Sequence, residues 1–124
     1  MTRLPLLLAA VPLLAGVGSA GHSRSAACPR NALPLGANAI APATRVALSH
    51  ERPQSLPQVL GAWLAPSDVN RGAIARTECG KRVWRRTVVV YIDLRANHPS
   101  ASLSERVTFV ARFRSGYRVW EIVH

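Results

Sequence analysis

The chain has 124 residues, 48% of them hydrophobic, enough for one domain with one modest core and too few polar tracts for a disordered protein. Sixteen Lys and Arg stand against six Asp and Glu, a net charge of +10, and Lys81 is the only lysine. That surplus points away from basic partners and towards anionic ones. The plentiful Ala, Arg, Gly and Pro also suit a GC-rich genome, which explains the preference for arginine over lysine.

Met1-Thr2-Arg3, the apolar run Leu4 to Val17 and the small residues Gly18-Ser19-Ala20 read as a secretory signal peptide over residues 1–20. Pro5 and Pro12 interrupt a run shorter than the ~20 apolar residues of a membrane span, so no transmembrane segment is expected in the mature chain. Losing that segment removes one positive charge, Arg3, and leaves the mature domain at +9. Export predicts a periplasmic or extracellular location. Residues 21–54 are rich in Ala, Pro, Ser and Asn and read as an extended arm, with Thr44 to Leu48 as a short candidate strand.

A folded domain over 55–124 is then expected to open with a helix. Ser55 with Gln58 makes a capping box, and Leu56, Val59, Leu60, Trp63 and Leu64 form one stripe at helical spacing that runs to about Ala65. Ser67 to Asn70 is turn-like or a second short helical start, and Ala73 to Thr77 reads as a strand leading through Cys79-Gly80-Lys81 into the next. Three β-rich runs follow: Trp84 to Leu94, Arg106 to Arg114 and Tyr117 to Val123. The first puts Trp84, Val88, Val90, Ile92 and Leu94 on one face, and the second alternates Val107, Phe109, Ala111 and Phe113 against charged neighbours. A two-residue Ser115-Gly116 loop would pair Arg114 with Tyr117, Ala111 with Trp120 and Phe109 with Ile122. The fold class is α+β, an antiparallel β-meander of three to four strands with one amphipathic helix packed on one face. Trp63 is expected to pack on Val88, Val90 or Trp120.

Two cysteines in an exported chain, Cys28 and Cys79, read as one disulfide closing a loop of about fifty residues, which the chain-entropy account values at roughly 4 kcal/mol. The rival reading, lipidation of Cys28, meets Arg24 and His22 where a lipobox has apolar residues. The four histidines are scattered without a metal-ligand spacing, so neither metal nor cofactor is expected. His50-Glu51 reads as a solvated pair. Asp93 reads as a cross-strand ion-pair partner, although Asp93, His98 and Glu105 bracket a loop that could hold a small carboxylate and imidazole site. No nucleophile elbow, phosphate loop or spaced carboxylate pair supports an enzyme.

The segment Lys81-Arg82-Val83-Trp84-Arg85-Arg86 interleaves arginine with tryptophan, which suits an anionic surface; its bland reading is a solvated strand entrance. A second sheet face, with Val89, Tyr91, Val110, Tyr117 and Val119 among Arg85, Arg112 and Arg114, needs a cover, supplied either by residues 28 to 50 or by a partner. The ending Arg112 to Ile122 resembles the closing hairpin of cystatin-like and NTF2-like α+β rolls. That resemblance implies a helix lying across a curved antiparallel sheet and carries no functional residue over. The expected protein is a small, exported, basic binding or accessory domain without catalysis. Lys81, Arg82, Arg85, Arg86, Arg112, Arg114 and Tyr117 would meet an anionic surface or another envelope protein, with nucleic acid disfavoured. The alternative is a hydrolase-like or small-ligand-pocket enzyme of roll fold.

Overall fold

Strand β2 (Thr87–Leu94) is the centre of the molecule because its run of β-branched residues is apolar on both sides. In this computed structural model, which describes residues 27–97 and 104–124, Val88, Val89, Val90 and Ile92 are all fully buried. The expected signal segment and His98 lie outside the described residues. Around β2 a four-stranded antiparallel sheet runs in chain order, β1 (Pro57–Leu64), β2, β3 (Glu105–Phe113) and β4 (Gly116–Val123). Two helices pack on it, α1 (Ile40–His50) and α2 (Gly72–Trp84), so the class is α+β. Among the described residues no helix is long and apolar enough to cross a membrane.

Helix α1 lies where an extended arm with a Thr44 to Leu48 strand was expected. Its Pro42 falls in the first turn, where the missing N–H would have had no partner in any case. Ala39, Ala43 and Ala47 form a small-residue stripe that lets the helix approach the sheet closely. They are buried against Val88, Val90, Ile92, Leu94 and Val110, with Tyr117 and Val119 alongside. The grouping of Val110, Tyr117 and Val119 with Val89 and Tyr91 on one face is therefore corrected. The first three share the α1 face, while Val89 and Tyr91 face the other way with Val107, Phe109 and Trp120. This second face takes α2 through Ala75, Ile74 and Trp84. The structure thus has two helices on opposite faces of the sheet, and neither is the single helix expected over Ser55 to Ala65.

Residues 57 to 64 form a strand, not the helix expected from Ser55 to Ala65. Ser55 Oγ donates to Arg52 O at 2.6 Å within a 3-10 turn, instead of capping a helix. Leu56 at φ 51° then reverses the chain into β1. A bulge between Val59 and Gly61 shifts the strand's parity, so Val59 and Ala62 reach the same α1 face three residues apart. The spacing imitates a helix. Trp63 consequently pairs in register with Val89 and stacks edge-on against Tyr91, with ring centroids 5.4 Å apart, instead of packing on Val88, Val90 or Trp120.

Ala73 to Thr77, expected as a strand, belongs to α2, and Trp84 ends that helix, so β2 starts only at Thr87. Gly80 breaks α2 with φ 87° and ψ 173°, a conformation open essentially to glycine alone. The β3–β4 hairpin turns at Arg114-Ser115, with Phe113 opposite Gly116 and Arg112 opposite Tyr117. The expected register is therefore two residues out: Ala111 faces Arg118, and a bulge near Trp120 leaves Phe109 facing Glu121. Among the described residues the turn's positive φ falls on Gly116, at 120°, as in a type I turn closed by a glycine.

Candidate functional site

Cys28 and Cys79 form the expected disulfide, with Cα atoms 5.5 Å apart, and no free cysteine remains among the described residues. The bond places the segment after Cys28 beside the second half of α2. Leu33 N donates to Arg112 O at 2.7 Å, occupying the place next to β3 that β2, beginning only at Thr87 opposite Ala111, leaves vacant. Arg86 Nη1 donates to Ala32 O at 2.6 Å and fixes the middle of the segment. The strap from Cys28 to Leu33 is thus held at three points: covalently, through a side chain and through a backbone bridge.

Between this strap, the end of α2 and the β3–β4 hairpin runs a cleft of about 590 Å³. Arg30 comes from the strap, Arg82 and Arg86 from α2 and the turn after it, and Arg114 and Arg118 from the hairpin. Five guanidiniums from sequence-distant places line one hollow, and no carboxylate lines it. Two further hollows, of about 420 and 460 Å³, share Arg30 with the first. One adds the disulfide and Glu78, and the other reaches Trp120, so the three adjoin as a groove. The Arg118 guanidinium sits over the Phe113 ring at 4.1 Å, and Arg86 is held by its carbonyl, so two of the five charges are fixed in place.

Of the residues expected to meet an anion, Arg82, Arg86 and Arg114 line the cleft. Lys81 and Arg85 are exposed near the end of α2 and do not line it. Arg112 and Tyr117 are cross-strand partners, and Tyr117 packs into the α1-side core, so the pair belongs to a different part of the sheet. Arg30 and Arg118 are additions. Arg30 was within reach of sequence reasoning, since a Cys28–Cys79 bond brings the residue two places after Cys28 towards Arg82. Arg118 needed the observed hairpin register.

The alternative carboxylate and imidazole site is only partly visible. Asp93 and Glu105 are direct register partners across β2 and β3, while His98 lies outside the described residues. Glu51 pairs with Arg106 at 3.6 Å, and His50 is exposed. Among the described residues no three of His, Cys, Asp and Glu converge as metal ligands would. Compared with protein-family models, with curated proteins and with solved structures, the chain matches none.

Proposed function

We propose that the protein is an exported, non-catalytic binding domain whose arginine-lined groove takes up an anionic partner outside the cytoplasm. The observation that carries this reading is the convergence of Arg30, Arg82, Arg86, Arg114 and Arg118 on one hollow lined by no carboxylate. Gathering five like charges raises the energy of the free protein, and a bound polyanion relieves that repulsion, which a scattered positive surface does not require. Export is supported by the N-terminal pattern of residues 1–20 together with a disulfide that only an oxidising compartment maintains. The position of α1 across the sheet is compatible with the cystatin-like or NTF2-like roll suggested by the closing hairpin, and we keep that kinship as a proposal about fold only.

The test compares two quadruple variants on a heparin column. Replacing Arg82, Arg86, Arg114 and Arg118 by Gln removes the groove's charge. Replacing Arg45, Arg52, Lys81 and Arg95 removes the same charge from exposed positions outside this groove. The groove variant is expected to elute at much lower salt than the control, with circular dichroism showing both folded. Equal losses would reduce the effect to total charge and defeat the reading. Binding should weaken steeply between 0.05 and 0.5 M salt, because exposed ionic contacts are screened over about 10 Å at 0.1 M.

A further inference from the structure

A second cleft, of about 440 Å³, lies over β1 and β2 on the α2 face. Leu60, Trp63, Val69 and Tyr91 line it together with Asp68 and Glu105. In soluble proteins large apolar side chains this exposed are informative when they cluster, and these do: Leu60 is 53% exposed, Trp63 45% and Val69 94%. The indole is also built into place. A Cβ on Gly61 would collide with the ring carbons of Trp63, so the ring occupies the space that glycine leaves open, with Tyr91 edge-on beside it. One strand turn supplies both the platform and the room for it.

The polar half of the cleft is unusual in a +10 chain. Asp68 is buried, its Oδ2 accepts from the Tyr91 hydroxyl at 2.7 Å, and its Oδ1 accepts from the backbone N–H groups of Asn70 and Arg71 at 2.9 and 3.4 Å. Burial first, then the hydrogen bond and charge of Asp68, push the Tyr91 phenol above its ordinary range, so it stays a donor. The lone pairs of the Asp68 carboxylate are therefore largely committed. Glu105, exposed on β3, adds a second negative charge.

We infer that this cleft binds a small quaternary ammonium compound, seated on Trp63 with Asp68 and Glu105 as counter-charges. Trp is the best π-face for such a cation. A primary ammonium needs up to three acceptors and would find those of Asp68 already occupied, whereas a quaternary head group needs charge and apolar contact without acceptors. The volume lies within the range of small-ligand sites. The cleft is independent of the arginine groove: it shares no lining residue with it.

Calorimetric titration of the folded, disulfide-bonded protein with choline tests this, beside its neutral isostere 3,3-dimethylbutan-1-ol and the primary amine ethanolamine. Choline is expected to bind about two- to fivefold more tightly than either, the order of one exposed cation–π contact. Glu105→Gln, at an exposed position, should weaken choline severalfold, and Arg71→Ala, which removes a positive charge near Tyr91, should strengthen it. Trp63→Leu should weaken choline and narrow its selectivity over the isostere, which the remaining counter-charges keep above unity, while circular dichroism confirms the fold. Equal binding of choline and the isostere, binding of neither, or an unchanged affinity in Glu105→Gln would each overturn the inference.

Discussion

The two clefts share one sheet and differ in how they are made. The arginine groove is assembled from distant pieces of chain, a strap at Cys28 to Leu33, the end of α2 and the last hairpin, and depends on a covalent tie to bring the first of these in. The aromatic cleft is built mainly from neighbours, since Gly61 and Tyr91 are register partners and Asp68 lies a few residues beyond β1. Like charges need a scaffold that holds them against repulsion, whereas an indole on a glycine is held by local sterics. The groove should therefore respond to changes in long-range ties, and the aromatic cleft to changes within β1 and β2.

The largest break in that comparison comes from the disulfide. Replacing Cys28 and Cys79 together by Ser should cost about 4 kcal/mol for a loop with a sequence separation of 51, measured by urea denaturation. Heparin affinity should fall with it, because Arg30 loses its anchor. Choline affinity should be unchanged under conditions where the variant remains folded, and a parallel loss at both clefts would mean that they are not separately supported.

A smaller effect is expected at Gly80. Its backbone conformation is closed to alanine, although a Cβ there would meet nothing within 4 Å, so the cost of Gly80→Ala is conformational alone, about 1–3 kcal/mol. Because Gly80 separates Cys79 from Arg82, relaxation of the kink should lower heparin affinity and leave the β1 side intact. Smaller still, Gly61→Ala should cost about 1 kcal/mol, since half-exposed Trp63 can swing away from the new methyl. Its signature is a red-shifted tryptophan emission with unchanged heparin binding. An unshifted spectrum would show that the ring does not depend on the glycine.

The last comparison is confined to alkaline pH. Tyr91 ionises higher in the folded chain than the value of about 10 of a free tyrosine, so its contribution is constant below pH 10 and is lost as pH rises towards the folded value. Wild type should therefore lose more stability than Tyr91→Phe between pH 9.5 and 11. Parallel stability curves for the two proteins would count against the Tyr91–Asp68 bond.

Much of this was legible in the sequence, and the failures have particular causes. The runs behind β2, β3 and β4 announced themselves by β-branched content, and the disulfide by cysteine count in a chain with an export pattern. The stripe from Leu56 to Leu64 misled because a bulge gives a strand the spacing of a helix. Helix α1 was hidden by Pro42, a breaker everywhere except in the first turn, where it stands. α2 carries Gly72, Gly80 and few large apolar residues, so it has little stripe to show. Arg82, Arg86 and Arg114 were found because charge clusters are visible in sequence, while the aromatic cleft was missed because Trp63 had been assigned to a helix.

The order of strands in the sheet also sets the order in which the protein becomes able to fold. β1 pairs only with β2, and the core beneath α1 is made chiefly from Val88, Val90, Ile92 and Leu94 of β2. During synthesis β1 therefore emerges without its partner, with Leu60, Trp63 and Leu64 uncovered. α1 and β1 have to wait for their common partner until about residue 94 is free. From then on β3 and β4 add by short connections, the fast, local kind of assembly. A chain with this topology has its period of greatest aggregation risk before β2 is complete, and a chaperone that shields residues 57 to 64 would protect it where protection matters most.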